Sequence, residues 1–214
     1  MPESGQPSAP IEIGAIELSA EPPAEEASRP PSRVRRVVLT SVQAVGVAGA
    51  AVLGYVGWQI GSEKNATLST PPGIGSLRLD DSEDGRSTAD YLRTALAAEV
   101  DLDKTVGAVY RETGDKNVLF FGGTGLIWRP DSNLAAAFGL MADNQGAVTG
   151  VHEVSAGPLG GTMKCGTTTS DEGALTVCGW ADHGSLALAM FTNRSEPQAA
   201  SLLQTMRAAT QKRS

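Results

Sequence analysis

The pattern of hydrophobic and polar positions divides the chain into three regions. Residues 1–33 combine recurrent Pro with Glu and contain no aromatic side chain. Such a composition cannot bury enough apolar surface to offset the entropy cost of ordering the backbone, so it predicts a disordered tail. Residues 37–61 contain no charged side chain. From residue 70 onward, short apolar segments alternate with turn-forming residues, which is typical of a folded domain of ordinary size.

The uncharged segment predicts a membrane-spanning helix. About 20 helical residues cross a hydrocarbon core of about 30 Å, and the uncharged run is longer than that. Tyr55 and Trp58 stand near its end, where aromatic anchors meet the bilayer interface. A cleaved signal peptide fits less well, because the segment follows a long acidic leader. A buried core helix is the remaining alternative. We expect a transmembrane helix with a basic flank at residues 34–61 and a linker at residues 62–74.

Basic residues near the segment set its expected orientation. Four arginines precede or begin it, whereas one acidic and one basic residue follow it: Arg29, Arg33, Arg35 and Arg36 before, and Glu63 and Lys64 after. Positive residues beside a span favour the cytoplasmic side. We therefore expect a single-pass protein of the cell membrane, with a cytoplasmic tail at residues 1–33 and an extracytoplasmic C-terminal domain.

Small residues recur at four-residue spacing within the same segment. Gly46, Ala50 and Gly54 would lie on one face of a helix. Small side chains at this spacing let a second helix approach closely, so this face is a candidate packing surface for a homodimer. Gly and Ala are common throughout the segment, which weakens the signal.

The C-terminal region predicts an α+β domain at residues 75–212. Apolar residues at helical spacing predict three helices, which Ser87 or Thr88, Asp131 or Ser132, and a capping box of Ser195 and Gln198 would cap. Short apolar runs between turn residues predict the strands, with residues 114–116 as the turn of a hairpin. The expected helices are at 85–100, 131–144 and 195–212, and the expected strands are at 76–80, 105–113, 117–125, 148–157, 161–169, 174–182 and 185–193. The short connections favour a mostly antiparallel sheet, which we expect to be covered by helices on one face.

Composition limits the classes of partner. The formal net charge is -7 at pH 7. A nucleic-acid partner is disfavoured, because neutralising phosphates requires clustered Lys and Arg. Aromatic residues make up only 5% of the chain, so the core must be built largely from small and aliphatic side chains.

The chain has two cysteines, Cys165 and Cys178, placed roughly symmetrically about a turn at 170–173. A turn there would bring the two residues face to face on neighbouring strands. In an oxidising compartment such a pair closes, so we expect a structural disulfide. A redox pair would use Cys-x-x-Cys spacing, which is absent. A zinc site is an alternative, but it would need further ligands from His152 or His183. We expect neither a metal nor a cofactor.

The densest cluster of reactive side chains lies at residues 180–185. Asp182, His183 and Ser185 suggest a hydrolase, but adjacent residues on a strand point to opposite faces, so Asp182 cannot easily orient His183. A turn between two strands explains the same residues without catalysis. We therefore assign no catalytic residue and regard Trp180, Asp182 and His183 as candidate binding residues.

Several motifs of the C-terminal region carry a family resemblance. They are GPLGG at 157–161, Cys165-Gly166, Cys178-Gly-Trp-Ala-Asp-His183 and a closing helix with Arg207. Over roughly residues 70–210 the chain resembles the C-terminal domain of uncharacterised single-pass membrane proteins of actinobacteria. The resemblance implies a membrane placement and paired cysteines, and it brings no activity or catalytic residues.

These observations favour a non-enzymatic membrane protein whose disulfide-stabilised outer domain binds an envelope partner or ligand. One alternative is an envelope hydrolase that uses Asp182 and His183, with Glu153 as a further candidate. Another is an accessory subunit whose helix packs in a larger membrane complex.

Overall fold

The computed structural model describes residues 33–141, 147–170 and 173–213, and for residues 33–45 and 170 it describes the backbone alone. The tail predicted to be disordered, residues 1–33, lies outside the described residues except for the backbone of Arg33, where a helix begins. The chain divides into two compact units, residues 1–46 and residues 47–214. The second unit contains the end of the first helix and all the strands within the described residues.

The elements follow one another in the order that the sequence predicts, with three additional short strands. They are α1 (Arg33–Glu63), β1 (Ala66–Leu68), β2 (Gly73–Ile74), β3 (Leu77–Leu79), α2 (Glu83–Glu99), β4 (Lys104–Arg111), β5 (Val118–Thr124), α3 (Pro130–Gly139), β6 (Thr149–Glu153), β7 (Thr162–Ser170), β8 (Gly173–Ala181), β9 (Ser185–Thr192), α4 (Glu196–Thr210) and β10 (Gln211–Arg213).

Eight of these strands form one sheet, in the order β2-β3-β4-β5-β9-β8-β7-β6, and β1 pairs with β10 in a second, two-stranded sheet. The paired neighbours are antiparallel in both sheets. The α+β class and the antiparallel sheet are therefore confirmed. Gly114 and Asp115 have positive φ angles, which provides the tight turn predicted between β4 and β5.

Helices cover both faces of the large sheet, so the prediction of helices on one face was wrong. On one face, residues of α4 such as Leu203 pack in a cluster with Phe120 and Trp180. On the other face, Leu96 of α2 and Leu134 of α3 pack in a second cluster. The cause lies in central strands such as β9, where Leu186 and Leu188 face one cluster while Ala187 and Ala189 face the other. A sheet that is apolar on both faces needs a layer on each side.

The segment expected to be a linker is instead part of the folded unit. Residues 62–74 contain β1 and β2, and Glu63 and Ala66 are buried.

Two helix caps also differ from the prediction. Ser82 rather than Ser87 or Thr88 caps α2, and α3 begins at Pro130 behind Arg129. The capping box of Ser195 and Gln198 at the start of α4 is confirmed.

The helix α1 covers the segment predicted to span a membrane and ends two residues beyond it. Among the residues whose side chains the structure describes, no helix combines the length and the apolar character needed to cross a membrane. The first part of the predicted span, residues 34–45, lies outside those residues.

The predicted disulfide is confirmed. Cys165 and Cys178 are directly paired on β7 and β8, with their Cα atoms 4.1 Å apart, and they form a disulfide. Both residues are completely buried in the cluster beneath α4. In the chain-entropy model a bridge that closes a loop of this size stabilises the fold by up to about 3 kcal/mol. Because the sulfur atoms are bonded to each other, these cysteines do not supply thiolate ligands for the alternative zinc site.

Candidate functional site

Residues 180–185, the densest cluster of reactive side chains in the sequence, comprise the end of β8, a turn at residues 182–184 and the start of β9. Asp182 organises this turn. Its side chain is completely buried. One carboxylate oxygen, Oδ1, accepts hydrogen bonds from the backbone N–H groups of Gly184 at 2.8 Å and Ser185 at 2.7 Å. The backbone N–H of Asp182 donates to the carbonyl of Ser185 at 2.9 Å. This arrangement is an Asx turn, in which a carboxylate replaces a backbone acceptor.

The other carboxylate oxygen of Asp182 binds the C-terminal part of the chain. Oδ2 accepts from Nη2 of Arg207 at 2.8 Å, Nε2 of Gln211 at 2.7 Å and Nη2 of Arg213 at 2.7 Å. The hydroxyl of Ser185 donates to the same oxygen at 3.1 Å. A single buried carboxylate therefore joins the β8–β9 turn to α4 and β10.

Arg207 extends this network to the glycine-rich loop between β6 and β7. Its side chain is buried, and Nη1 donates to the carbonyl of Gly160 at 2.7 Å, while Nε donates to Oε1 of Gln211 at 2.8 Å. The guanidinium also lies 5.4 Å from the ring centroid of Trp180, a distance at which cation–π attraction is significant. In the same loop, a Cβ atom on Gly161 would lie 2.5 Å from the carbonyl oxygen of Ala181. Glycine is therefore required for this close approach.

The end of α1 meets the same turn. The buried carboxylate of Glu63 accepts from the backbone N–H of His183 at 2.9 Å and lies 3.8 Å from Nη2 of Arg213. Gly184 packs directly against the Glu63 backbone, since a Cβ atom at Gly184 would lie 1.7 Å from the Glu63 carbonyl oxygen. No other residue type fits there without moving the end of the helix. The end of α1 is thus fixed to the domain by hydrogen bonding and by close backbone packing.

We call Glu63, Asp182, Arg207, Gln211 and Arg213 the charge cluster. Its two carboxylates and two guanidinium groups balance in charge. Glu63, Asp182, Arg207 and Gln211 are buried, and the Arg213 side chain is 21% exposed. Burial alone raises the pKa of the Asp182 carboxyl, but hydrogen bonds from Gln211, Arg213 and the Gly184 N–H, together with the charge of Arg207, outweigh burial and hold that pKa below its usual value. Burial also lowers the pKa of Arg207, against the attraction of Asp182.

The structure does not arrange Asp182, His183 and Ser185 as a catalytic triad. Nδ1 of His183 lies 2.9 Å from the carbonyl oxygen of Ile127, so this nitrogen carries the proton and donates away from Asp182. The hydroxyl of Ser185 is buried, donates to Asp182 and accepts from Nε1 of Trp180 at 3.2 Å. A nucleophilic serine also needs access for a substrate, which the buried hydroxyl of Ser185 does not have. These side chains instead stabilise the turn.

The other residues singled out by sequence lie apart from one another. Trp180 is completely buried against Phe120, with ring centroids 5.9 Å apart, so neither Trp180 nor Asp182 reaches the surface as a binding residue would. His152 lies on the exposed strand β6, with Nε2 3.0 Å from Glu196. A hydrogen bond with the Gly150 carbonyl, and then the charge of Glu196, raise the pKa of His152.

Within the described ranges, no group of three potential metal-ligating side chains comes together.

The candidate packing face of α1 is open in the structure. Gly46, Ala50 and Gly54 are exposed, and Cβ atoms added at the two glycines would meet no neighbouring atom within 4 Å. This openness is compatible with the approach of a second helix, and self-association stays a prediction.

Sequence reasoning missed most of the charge cluster. Glu63 was counted only for its charge beside the span, and Gln211 and Arg213 were assigned no role. Arg207 entered only through the family resemblance. One local signal was present, because Arg207 and Gln211, the C-cap of α4, are four residues apart and can therefore face the same neighbour. The contact between Glu63 and His183 joins residues 120 positions apart, and no local pattern indicates it.

Comparisons with protein-family models, with curated proteins and with solved structures find no match for this chain.

We predict that Asp182→Asn destabilises the domain by about 3–5 kcal/mol, because it leaves buried guanidinium groups without their counter-charge. Since the pKa of Asp182 is lower in the folded than in the unfolded state, its contribution is fully present above the unfolded value of about 4 and is lost as the pH falls through the folded value. The acid-induced loss of stability should therefore be smaller in the variant. Urea unfolding between acidic and neutral pH measures both effects.

The matched control for this experiment is Asp90→Asn. Asp90 pairs with Arg93 at the surface of α2, and such pairs contribute about 0–1 kcal/mol. An Asp182→Asn protein that unfolds like this control at neutral pH would contradict the structural role of the charge cluster.

Proposed function

We propose that this protein is a non-enzymatic, single-pass membrane protein whose disulfide-stabilised C-terminal domain lies outside the cytoplasmic membrane and binds an envelope partner or ligand. The observation that carries the proposal is the charge cluster. It engages Asp182, which the hydrolase alternative requires, in fixed hydrogen bonds to Arg207, Gln211 and Arg213. Through Glu63 it also fixes the end of α1 to the domain. A rigid connection of this kind suits a domain that is held at a membrane surface.

The surface of α1 supports the membrane placement. Apolar side chains between residues 47 and 58 are widely exposed, with Leu53 at 74% and Trp58 at 68%. Contiguous apolar surface of this kind is unfavourable in water and indicates contact with lipid or with another protein. The uncharged sequence from 37 to 61 and the arginines before it favour lipid, with the N-terminus inside.

A groove beside β1 is the place where we expect a ligand or partner to bind. It has a volume of about 560 Å³ and is lined by residues of β1, α2, β4 and β5 and by Lys64, which precedes β1. Arg93 and Lys104 are also in its lining. Ligand sites of small molecules have volumes of about 300–1,000 Å³. The groove contains none of Asp182, His183 or Ser185, so binding there does not involve the residues of the hydrolase alternative.

The proposed topology can be tested through the lysines, which are all C-terminal to the uncharged segment: Lys64, Lys104, Lys116, Lys164 and Lys212. A membrane-impermeant amine-reactive biotin reagent added to intact cells should label Lys104 and Lys116, because both are exposed on the C-terminal domain. Mass spectrometry of the purified protein identifies the labelled positions. The protein should also remain in the membrane fraction after alkaline carbonate extraction.

A cytoplasmic protein in the same cells is the control for membrane integrity and should stay unlabelled. Labelling of Lys104 and Lys116 only after the cells are lysed would exclude the extracytoplasmic placement. Release of the protein by carbonate would exclude the membrane span.

The non-enzymatic assignment predicts that Ser185 does not react with a fluorophosphonate probe, which modifies activated serine hydroxyls. The reason is that this hydroxyl is buried and hydrogen-bonded to Asp182 and Trp180. Mass spectrometry of the treated, folded protein checks the modification. Reaction at Ser185 that is lost in His183→Ala would support the hydrolase instead.

A further inference from the structure

We propose that the loop at residues 125–129, between β5 and α3, contacts the headgroup region of the bilayer through Leu126 and Trp128. This inference rests on the proposed function, because the depth of the loop is argued from the position of a membrane-spanning α1. It assigns a second lipid contact to the protein, one made by the folded domain rather than by the helix.

The loop presents two large apolar side chains to the outside. Leu126 is 47% exposed and Trp128 is 68% exposed, whereas Ile127 between them is 1% exposed and lies in the cluster beneath α2 and α3. The buried Ile127 therefore fixes the loop so that its two neighbours point outward. Single exposed apolar residues are common on protein surfaces, so exposure alone does not indicate a lipid contact. The position of Leu126 and Trp128 relative to the end of α1 is therefore the relevant evidence.

The loop is hydrogen-bonded to the turn that holds the end of α1. The backbone N–H of Ile127 donates to the carbonyl of His183 at 3.1 Å, and Nδ1 of His183 donates to the carbonyl of Ile127 at 2.9 Å. The backbone N–H of His183 donates to Glu63 at 2.9 Å. One residue, His183, thus connects the loop to the last residue of α1, and the loop cannot swing away from the helix end.

This connection sets the depth of the loop relative to a bilayer. Trp58 lies five residues before Glu63, which corresponds to about 7.5 Å along the helix. Trp side chains favour the interface between the headgroups and the acyl chains. If Trp58 occupies that level, then the end of α1 lies among the headgroups, and the loop bonded to it lies there too.

Charge near the loop agrees with a lipid partner. Arg129 is exposed next to Trp128, and Lys64 is exposed next to Glu63. A surface that combines Trp and Leu with basic residues is typical of segments that lie in the membrane interface, where the cations approach lipid phosphates. The competing occupant is a second copy of this chain, which would cover the same two side chains with protein.

The experiment uses the full-length, oxidised protein with Leu126→Cys labelled by an environment-sensitive fluorophore. The two native cysteines are bonded to each other, so the introduced thiol is the free one. The protein is reconstituted in vesicles of phosphatidylethanolamine and phosphatidylglycerol, with or without a lipid that carries a nitroxide quencher in its headgroup region. The quencher should lower the fluorescence at least about twofold if the side chain lies in the interface.

Lys116→Cys with the same fluorophore is the matched control. Lys116 is exposed in the turn at the other end of β5, about 20 Å away along a strand of seven residues, so its label should be unaffected by the quencher. Both labelled variants should keep the melting temperature of the unlabelled protein, because both substituted side chains are exposed.

Carbonate extraction of the same vesicles separates the two proposals. A label at Leu126→Cys that is not quenched in carbonate-resistant protein would overturn the loop contact and leave the membrane anchor intact. Protein that carbonate extracts, with no quenching, would overturn both. Quenching in extractable protein would support the loop contact and contradict the span. Equal quenching of both labels would contradict a specific lipid contact. Quenching of the Leu126→Cys label that weakens as the protein density in the vesicles rises would also contradict it, because a second copy of the chain would then be covering the loop.

Discussion

The structure depends on the burial of one carboxylate. Asp182 is removed completely from water, and an isolated buried charge would cost far more free energy than a small domain can supply. Its two oxygens therefore need several donors, and the donors come from distant parts of the chain: the β8–β9 turn, the end of α4 and the strand β10. Because the Asp182 carboxylate must be paired, the last turn of α4 and the strand β10 have to pack beside the β8–β9 turn, where Arg207, Gln211 and Arg213 reach that carboxylate. The single carboxylate organises one end of the domain.

The same requirement explains why Asp182, His183 and Ser185 are not arranged as a catalytic triad. A base and a nucleophile must be able to change partners during a reaction, whereas the hydrogen bonds of Asp182 and Ser185 are fixed within the buried network. It also explains the motifs that carried the family resemblance. Arg207 bonds the carbonyl of Gly160 in the glycine-rich loop, stacks on Trp180 and pairs with Asp182. The glycine-rich loop, the segment with Trp180 and Asp182, and the closing helix therefore meet at the charge cluster, whereas the two cysteines form the disulfide.

Local sequence patterns were sufficient for much of the fold and insufficient for the site. Capping residues and turn residues identified α4 and the β4–β5 hairpin, and the symmetric placement of Cys165 and Cys178 identified their pairing. The two-sided burial of the sheet was missed, although the nearly continuous apolar run of β9 is typical of a strand covered on both faces. The contacts of Glu63 could not be predicted, because they depend on where the chain returns after 120 residues. The periodicity of apolar residues within one element does not indicate which distant element will pack against it.

The central claim is that the buried charge cluster acts as one structural unit, and a double-mutant cycle between Asp182 and Arg207 tests it most directly. The free energy of unfolding is measured for the wild-type protein, Asp182→Asn, Arg207→Gln and the double variant. Residues in one buried network couple by about 0.5–3 kcal/mol, and we expect a value in the upper half of that range for this pair. Effects that add within about 0.3 kcal/mol would contradict the claim.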